Sequence, residues 1–457
     1  MAAYRVSCLL IAVVVVGSCV WLDAARVPSA DDVTPSTAYS LSSASLASAH
    51  PASPAGGLTS SADLPRSPKH LVFPMNLRTG VTNHTRALLG GAATLPLHGS
   101  VQEHGYYYAD VALGTPPKQF QVIIDTGSTA TYVPCAGCTA CGIHTNPYFD
   151  PAASSSFKPI DCASPDCHTG RCSGGKCHYS KSYAERSSAS GDLILDQIQL
   201  GGDLGGVDFV FGCTTSESGT ILSQEADGLM GLGNGVVSLP MQLAARHSLE
   251  RVFSLCYGSF DGGGAVSFGR LPTTANTPAL AYTPLKPSGA HPTYYTVATD
   301  KWEVGGVAIA SAADFNVGYG TVMDSGTTFT YVPTKVFNAF AAALHTQVGA
   351  KLIKIPGPDP GYPGDICYQG QGVSRATLGH HFPNLGIFFE AGAALDLPPS
   401  NYLFIHGKEG GAFCLGVMDN GGSGTLIGGI TVRNTMVGRC RLTTVDPGWP
   451  ALEAQIR

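Results

Sequence analysis

Two aspartates lie 199 positions apart in nearly the same ten-residue phrase. Asp125 opens Asp-Thr-Gly-Ser-Thr-Ala-Thr-Tyr-Val-Pro (125–134) and Asp324 opens Asp-Ser-Gly-Thr-Thr-Phe-Thr-Tyr-Val-Pro (324–333), identical at seven of ten positions. Glycine two residues after each Asp tolerates backbone angles that other residues avoid, so a strand ending here can turn sharply and leave its carboxylate exposed. The hydroxyl of Ser128 or Thr327 is placed to bond and orient that carboxylate. Two such carboxylates brought together cannot both ionise easily, because like charge at close range raises one pKa. One is then an acid and the other a base, and water held between them is a nucleophile. That chemistry is peptide hydrolysis with neither metal nor covalent intermediate.

The flanking sequence reads as elements that would position these groups. Val122-Ile123-Ile124 and Thr321-Val322-Met323 read as the ends of buried strands. A paired-Tyr strand precedes each, Tyr107-Tyr108 in one copy and Tyr294-Tyr295 in the other. An internal repeat on this scale predicts two similar lobes. From Gly105 to Asp125 the pattern is strand, Gly-Thr-Pro-Pro turn, strand, a hairpin that delivers the first carboxylate. The runs 226–233 and 424–429, each an apolar pair followed by Gly, form a second repeated feature. Ser238 to Ala244 reads as a short capped helix with Pro240 in its first turn. A longer packing helix follows Pro333, with Val336, Phe337, Phe340, Ala341, Leu344 and Val348 at helical spacing. Residues 355–364 read as a loop.

The two Asp-Thr/Ser-Gly motifs in matched apolar settings resemble the pepsin-type aspartic proteases from about Gly105 to about Asn434, most of the chain. A lone copy would be an unspecific Asp-Gly turn; two in register are a strong signal. The cysteine cluster after Asp125, absent from pepsin itself, is similar to the insert of the plant-type (nepenthesin-like) branch, and the Pro-Cys-Ala-Gly-Cys-Thr-Ala-Cys run also resembles plasmepsin V. The resemblance implies an all-β, bilobal fold with a few short helices and Asp125 and Asp324 as catalytic residues. Thr126, Gly127, Ser128, Ser325, Gly326 and Thr327 would support the two catalytic loops. It further implies a flap hairpin whose Tyr183 closes over substrate, with Tyr132 standing where the family often has a Trp that bonds the flap tyrosine. The two apolar-pair-plus-Gly runs would thread behind the active-site loops, and Cys367 would pair with Cys414. Glu185 would favour a basic substrate residue if it entered the cleft, although a charge at a loop tip is usually solvated.

Composition sets the class. The chain has 457 residues, 44% hydrophobic and only 13% charged, with 57 glycines, which reads as a β-rich secreted protein. A net charge of −6 gives no reason to expect nucleic acid. Residues 1–25 read as a signal peptide, with Arg5, an apolar stretch from Cys8 to Leu22, and Ala24-Ala25. Residues 26–97 comprise a Ser/Ala/Pro-rich stretch and, by the resemblance, a propeptide; Asn83 lies in a glycosylation sequon. The N-terminal lobe is expected over 98–290 and the C-terminal lobe over 291–457. Behind a signal peptide, disulfides are the better reading of Cys135, Cys138, Cys141, Cys162, Cys167, Cys172, Cys177, Cys213, Cys256, Cys367 and Cys414. The spacing Cys135-x2-Cys138-x2-Cys141-x2-His144 also suits a zinc knot, the alternative reading.

The carboxy terminus departs from the family. After Val432-Arg433-Asn434 the chain lacks both strand alternation and the family's closing phrase, and the last ~20 residues read as a splice or reading-frame difference. A lost strand would leave an unpaired sheet edge, with Cys440 as an unpaired thiol. The expectation is therefore a monomeric aspartic endopeptidase made as a zymogen in the secretory pathway (extracellular, vacuolar or ER lumen). It would act on peptide or protein substrates in acid, with no cofactor, metal, nucleic acid or membrane span after signal removal. A catalytically silent inhibitor or binding protein on the same fold is the alternative, and a structural cell-surface protein the third reading.

Overall fold

The computed structural model describes residues 13–15, 93–168, 171–200, 205–269, 281–286, 289–357, 365–406, 411–439 and 453–456. Most of the expected leader, the stretch up to residue 92 with its Asn83 sequon, Cys440, and residues 358–364 of the expected loop lie outside them. Ile355 and Pro356, read as loop, end the strand Ile353–Pro356. Strands dominate, in one extended sheet system and two four-stranded sheets.

In the first lobe, Tyr108–Leu113 and Lys118–Asp125 form the expected hairpin around Gly-Thr-Pro-Pro. Val122 and Ile124 are fully buried, as a strand running into the core requires. A long antiparallel pair, Ser188–Gln199 and Val207–Ser218, forms the lobe's broad face, and Lys176–Ser182 adds to its edge. Gly228–Gly231 runs parallel to Val122–Asp125, directly behind the first Asp loop. Ala93–His98 pairs with Gly264–Phe268, so residues 93–97, expected to belong to the propeptide stretch 26–97, already belong to the sheet.

The second lobe repeats the arrangement. Thr321–Met323 runs parallel to Thr425–Ile427, and Thr330–Val332 parallel to Val417–Asp419. Helix Thr334–Val348 buries Val336, Phe340, Leu344 and Val348, spaced four apart so that they share one face, while Phe337 and Ala341 pack at its margin. Helix Leu239–His247 begins after Ser238 with Pro240 in its first turn, but the Ser238 side chain makes no capping bond.

Beneath the Asp loops, Thr435–Arg439 pairs with Phe253–Cys256, and Val13–Val15 lies antiparallel to Thr435–Val437. The terminal segment corrects the expectation of a lost strand. Glu453–Ile456 is a strand paired with Ala281–Pro284 and with Val437–Gly438. Strand pairing is made by backbone groups, so a short segment without the family's phrase can still occupy the edge.

Candidate active site

Asp125 and Asp324 each stand at the start of a loop that leaves its strand at the centre of its lobe. Backbone symmetry sets them there: Ile124 N donates to Tyr107 O and Met323 N to Tyr295 O, each at 3.0 Å, so the paired-Tyr segments hold equivalent strand ends. The loops clasp each other. Thr126 N donates to Ser325 Oγ and Ser325 N to Thr126 Oγ1, both at 2.9 Å. Thr126 Oγ1 then donates to Met323 O and Ser325 Oγ to Ile124 O, again at 2.9 Å. All four bonds are buried and all cross between the lobes.

This clasp sets each carboxyl group against the glycine of the opposite loop, so the two carboxyl groups are close neighbours and each raises the cost of ionising the other. Asp125 Oδ1 accepts from Gly127 N at 2.7 Å and Asp324 Oδ1 from Gly326 N at 3.0 Å. Thr327 Oγ1 donates to Asp324 Oδ2 at 2.6 Å. The Ser128 hydroxyl lies against Asp125 and favours its ionised form, but outside good hydrogen-bond geometry, so the two lobes differ here. The glycines are dictated by the opposite loop. A Cβ on Gly326 would lie 2.3 Å from Asp125 Oδ1, and one on Gly127 would lie 2.9 Å from Asp324 Oδ1.

Burial first, and the charge of Asp324 second, push Asp125 up from 3.8 to about 7. Burial likewise raises Asp324, against the lowering effect of Thr327 and Gly326. A buried carboxyl pair of this kind holds one proton between its members over a broad pH range.

Over the site lies the hairpin of Lys176–Ser182 and the start of Ser188–Gln199, with Tyr183–Ser187 as its turn. Tyr183 and Tyr132 meet through their hydroxyls at 3.0 Å. Glu185 is exposed at the tip of the turn.

The cysteines form disulfides rather than a metal knot: Cys135–Cys213, Cys138–Cys141, Cys162–Cys172, Cys167–Cys177 and Cys367–Cys414. Cys256 is also disulfide-bonded. His144, the fourth residue of the zinc reading, turns to other partners: Nδ1 meets Ala226 O at 2.9 Å and Nε2 meets Glu217 Oε2 at 3.2 Å. Both side chains are almost completely buried.

Several working residues escaped the sequence reading. Buried Asp227 accepts from Gln121 N, Asn146 N and Asn146 Nδ2, tying the insert to the strand behind the first loop. Glu217 showed no motif, since its partner lies 73 positions away. Lys181 did leave a signal: period-two alternation puts it on the same strand face as Tyr179 and Tyr183.

Two family models match the chain, "Xylanase inhibitor N-terminal" over residues 107–270 and "Xylanase inhibitor C-terminal" over residues 294–438. Aspartic proteinase 36 of Arabidopsis thaliana is 29% identical, covering 75% of this chain and 73% of its own length. Aspartic proteinase nepenthesin-2 of Nepenthes gracilis is 30% identical, with 73% and 74% covered. In three dimensions the chain is similar to the crystal structure of Basic 7S globulin from soybean, at TM-score 0.59 and 20% identity, covering 76% of this chain and 93% of that one.

Proposed function

The chain belongs to the pepsin-like aspartic protease family, and we propose that it is an aspartic endopeptidase whose catalytic residues are Asp125 and Asp324. The observation that carries the reading is the mutual fit of the two loops: each glycine has room only for hydrogen beside the opposite carboxylate. An extended peptide lies under the hairpin with its scissile carbonyl above the carboxyl pair. The ionised member takes a proton from water as the water attacks the carbonyl carbon. The protonated member donates a hydrogen bond to the developing oxyanion, and the proton is later passed to the leaving amine. Thr126 and Ser325 hold the loops in register, Thr327 and the Gly N–H groups orient the oxygens, and Tyr183, braced by Tyr132, covers the substrate. No metal or cofactor enters this scheme.

The disulfides support an oxidising compartment, hence a secreted, vacuolar or ER-luminal protein delivered by the 1–25 leader. We further propose that it is made as a zymogen, with the region removed lying within residues 26–92, ahead of the sheet strand Ala93–His98, and that it works as a monomer. The second reading, a silent inhibitor or binding protein, is favoured by the description of the matching family models. Against it stands the retention of both aspartates with their glycines and hydroxyls.

Peptide hydrolysis by the purified chain against pH, beside Asp125→Asn, separates the two. A protease gives acid activity with an alkaline limb set by loss of the pair's shared proton, displaced upward by burial and by the like charge of the two carboxylates. Asp125→Asn should cost at least about 10²–10⁴-fold, the range for losing a general acid–base group. A folded chain with no cleavage at any pH would favour the binder.

A further inference from the structure

The underside of the hairpin carries a cation with no anion of its own. Alternation along Lys176–Ser182 sends Lys176 and His178 to one face, where both meet Asp192, at 3.3 and 3.4 Å. The opposite face carries Tyr179, Lys181 and Tyr183. Tyr179 stacks on Tyr132 with ring centroids 5.8 Å apart, and Tyr183 bonds the Tyr132 hydroxyl. Lys181, between them, therefore faces the Asp125 loop. Its Nζ reaches Thr129 Oγ1 at 3.4 Å, and its charge is felt at Asp125.

Among the described residues Lys181 has no carboxylate within ion-pair distance. Asp125 cannot serve as a permanent counter-ion, since its Oδ1 accepts from Gly127 N and it shares the site's proton with Asp324. Arg171 adds positive charge nearby rather than cancelling it. Glu185 stands exposed on the turn. Burial lowers the Lys181 pKa and Asp125 raises it, as befits a half-desolvated ammonium. Such a group costs free energy until an anion meets it.

We propose that Lys181 receives an acidic side chain of the bound peptide and so makes the cleft selective for substrates carrying Asp or Glu beside the scissile bond. The inference rests on the endopeptidase reading and gives that site its substrate class. It also reverses the polarity that Glu185 alone would suggest, because the lysine faces the cleft and the glutamate faces solvent.

The test uses peptide pairs differing only by Glu against Gln, one position at a time on either side of the cleaved bond, at pH 5.5. One position should favour Glu about tenfold in kcat/KM, equivalent to about 1.4 kcal/mol. Lys181→Arg should keep the preference, Lys181→Met erase it, and Lys181→Glu invert it toward Lys. The wild-type preference should also fade as pH falls below about 4.3, where the substrate Glu takes up its proton. Equal rates for Glu and Gln at every position, or a preference that survives Lys181→Met, would overturn the proposal. If the chain cleaves nothing, the endopeptidase reading fails separately, and fluorescence anisotropy of the same peptides with the full chain decides. Affinity favouring Glu and lost in Lys181→Met supports the role of Lys181; equal affinities, or no binding of any peptide, overturn it.

Discussion

A methyl group added at Gly326 would sit 2.3 Å from an oxygen of Asp125, a contact that real Cβ atoms do not make. Each glycine is thus fixed by a carboxylate on the other loop, as well as by the turn it permits. The same closeness sets the pH behaviour. Unfolded, Asp125 titrates near 3.8; folded, near 7, because burial and Asp324 oppose its charge. Between these values the native state binds more protons than the unfolded one, so stability falls as pH rises from about 4 to about 7. Thermal unfolding against pH should show this decline, about 1–4 kcal/mol in all, since one proton bound over one pH interval of unity is worth about 1.4 kcal/mol. Asp125→Asn should flatten it; an unchanged slope in the variant would place its origin elsewhere.

At the scale of elements, the insert is held by more than its disulfides. Burial alone would lower the pKa of His144, but the Glu217 carboxylate and the Ala226 carbonyl outweigh it and the net effect is upward. Both ring nitrogens face acceptors, which suits the doubly protonated ring. A raised histidine pKa contributes stability that is complete below the unfolded value near 6.5 and lost as pH rises through the folded one. Hydrogen exchange over residues 136–146, corrected for its intrinsic pH dependence, should accordingly quicken above neutral pH, with a slope of at most about tenfold per pH unit, the limit for release of one proton. His144→Gln should show little pH dependence. Neither partner announces itself in the sequence. His144 falls in zinc-like spacing with three cysteines, and only the path of Val207–Ser218 past the insert reveals Glu217 as its partner.

Across the whole molecule, the lobes are joined at their chemical centre by Thr126 and Ser325. Each hydroxyl accepts from the other's backbone N–H and donates to a carbonyl of the opposite lobe. Thr126→Val and Ser325→Ala should each cost about 1–3 kcal/mol, as buried groups lose partners. Because they break one network, a double-mutant cycle should return a coupling of about 0.5–3 kcal/mol, and additive costs would show the loops to be independent. The sequence by itself determined the repeat, and with it the two lobes, the matched aspartates and their glycines. These are local patterns, legible because strand alternation and Asp-Gly turns act over a few residues. Tertiary structure alone decided which cysteines bond within the insert, where the terminal Glu453–Ile456 pairs, that His144 meets Glu217 rather than a metal, and that Lys181 turns toward the Asp125 loop while Glu185 stays exposed. Each of these depends on segments remote in sequence being brought into contact, and spacing along a chain carries no record of which remote segment will arrive.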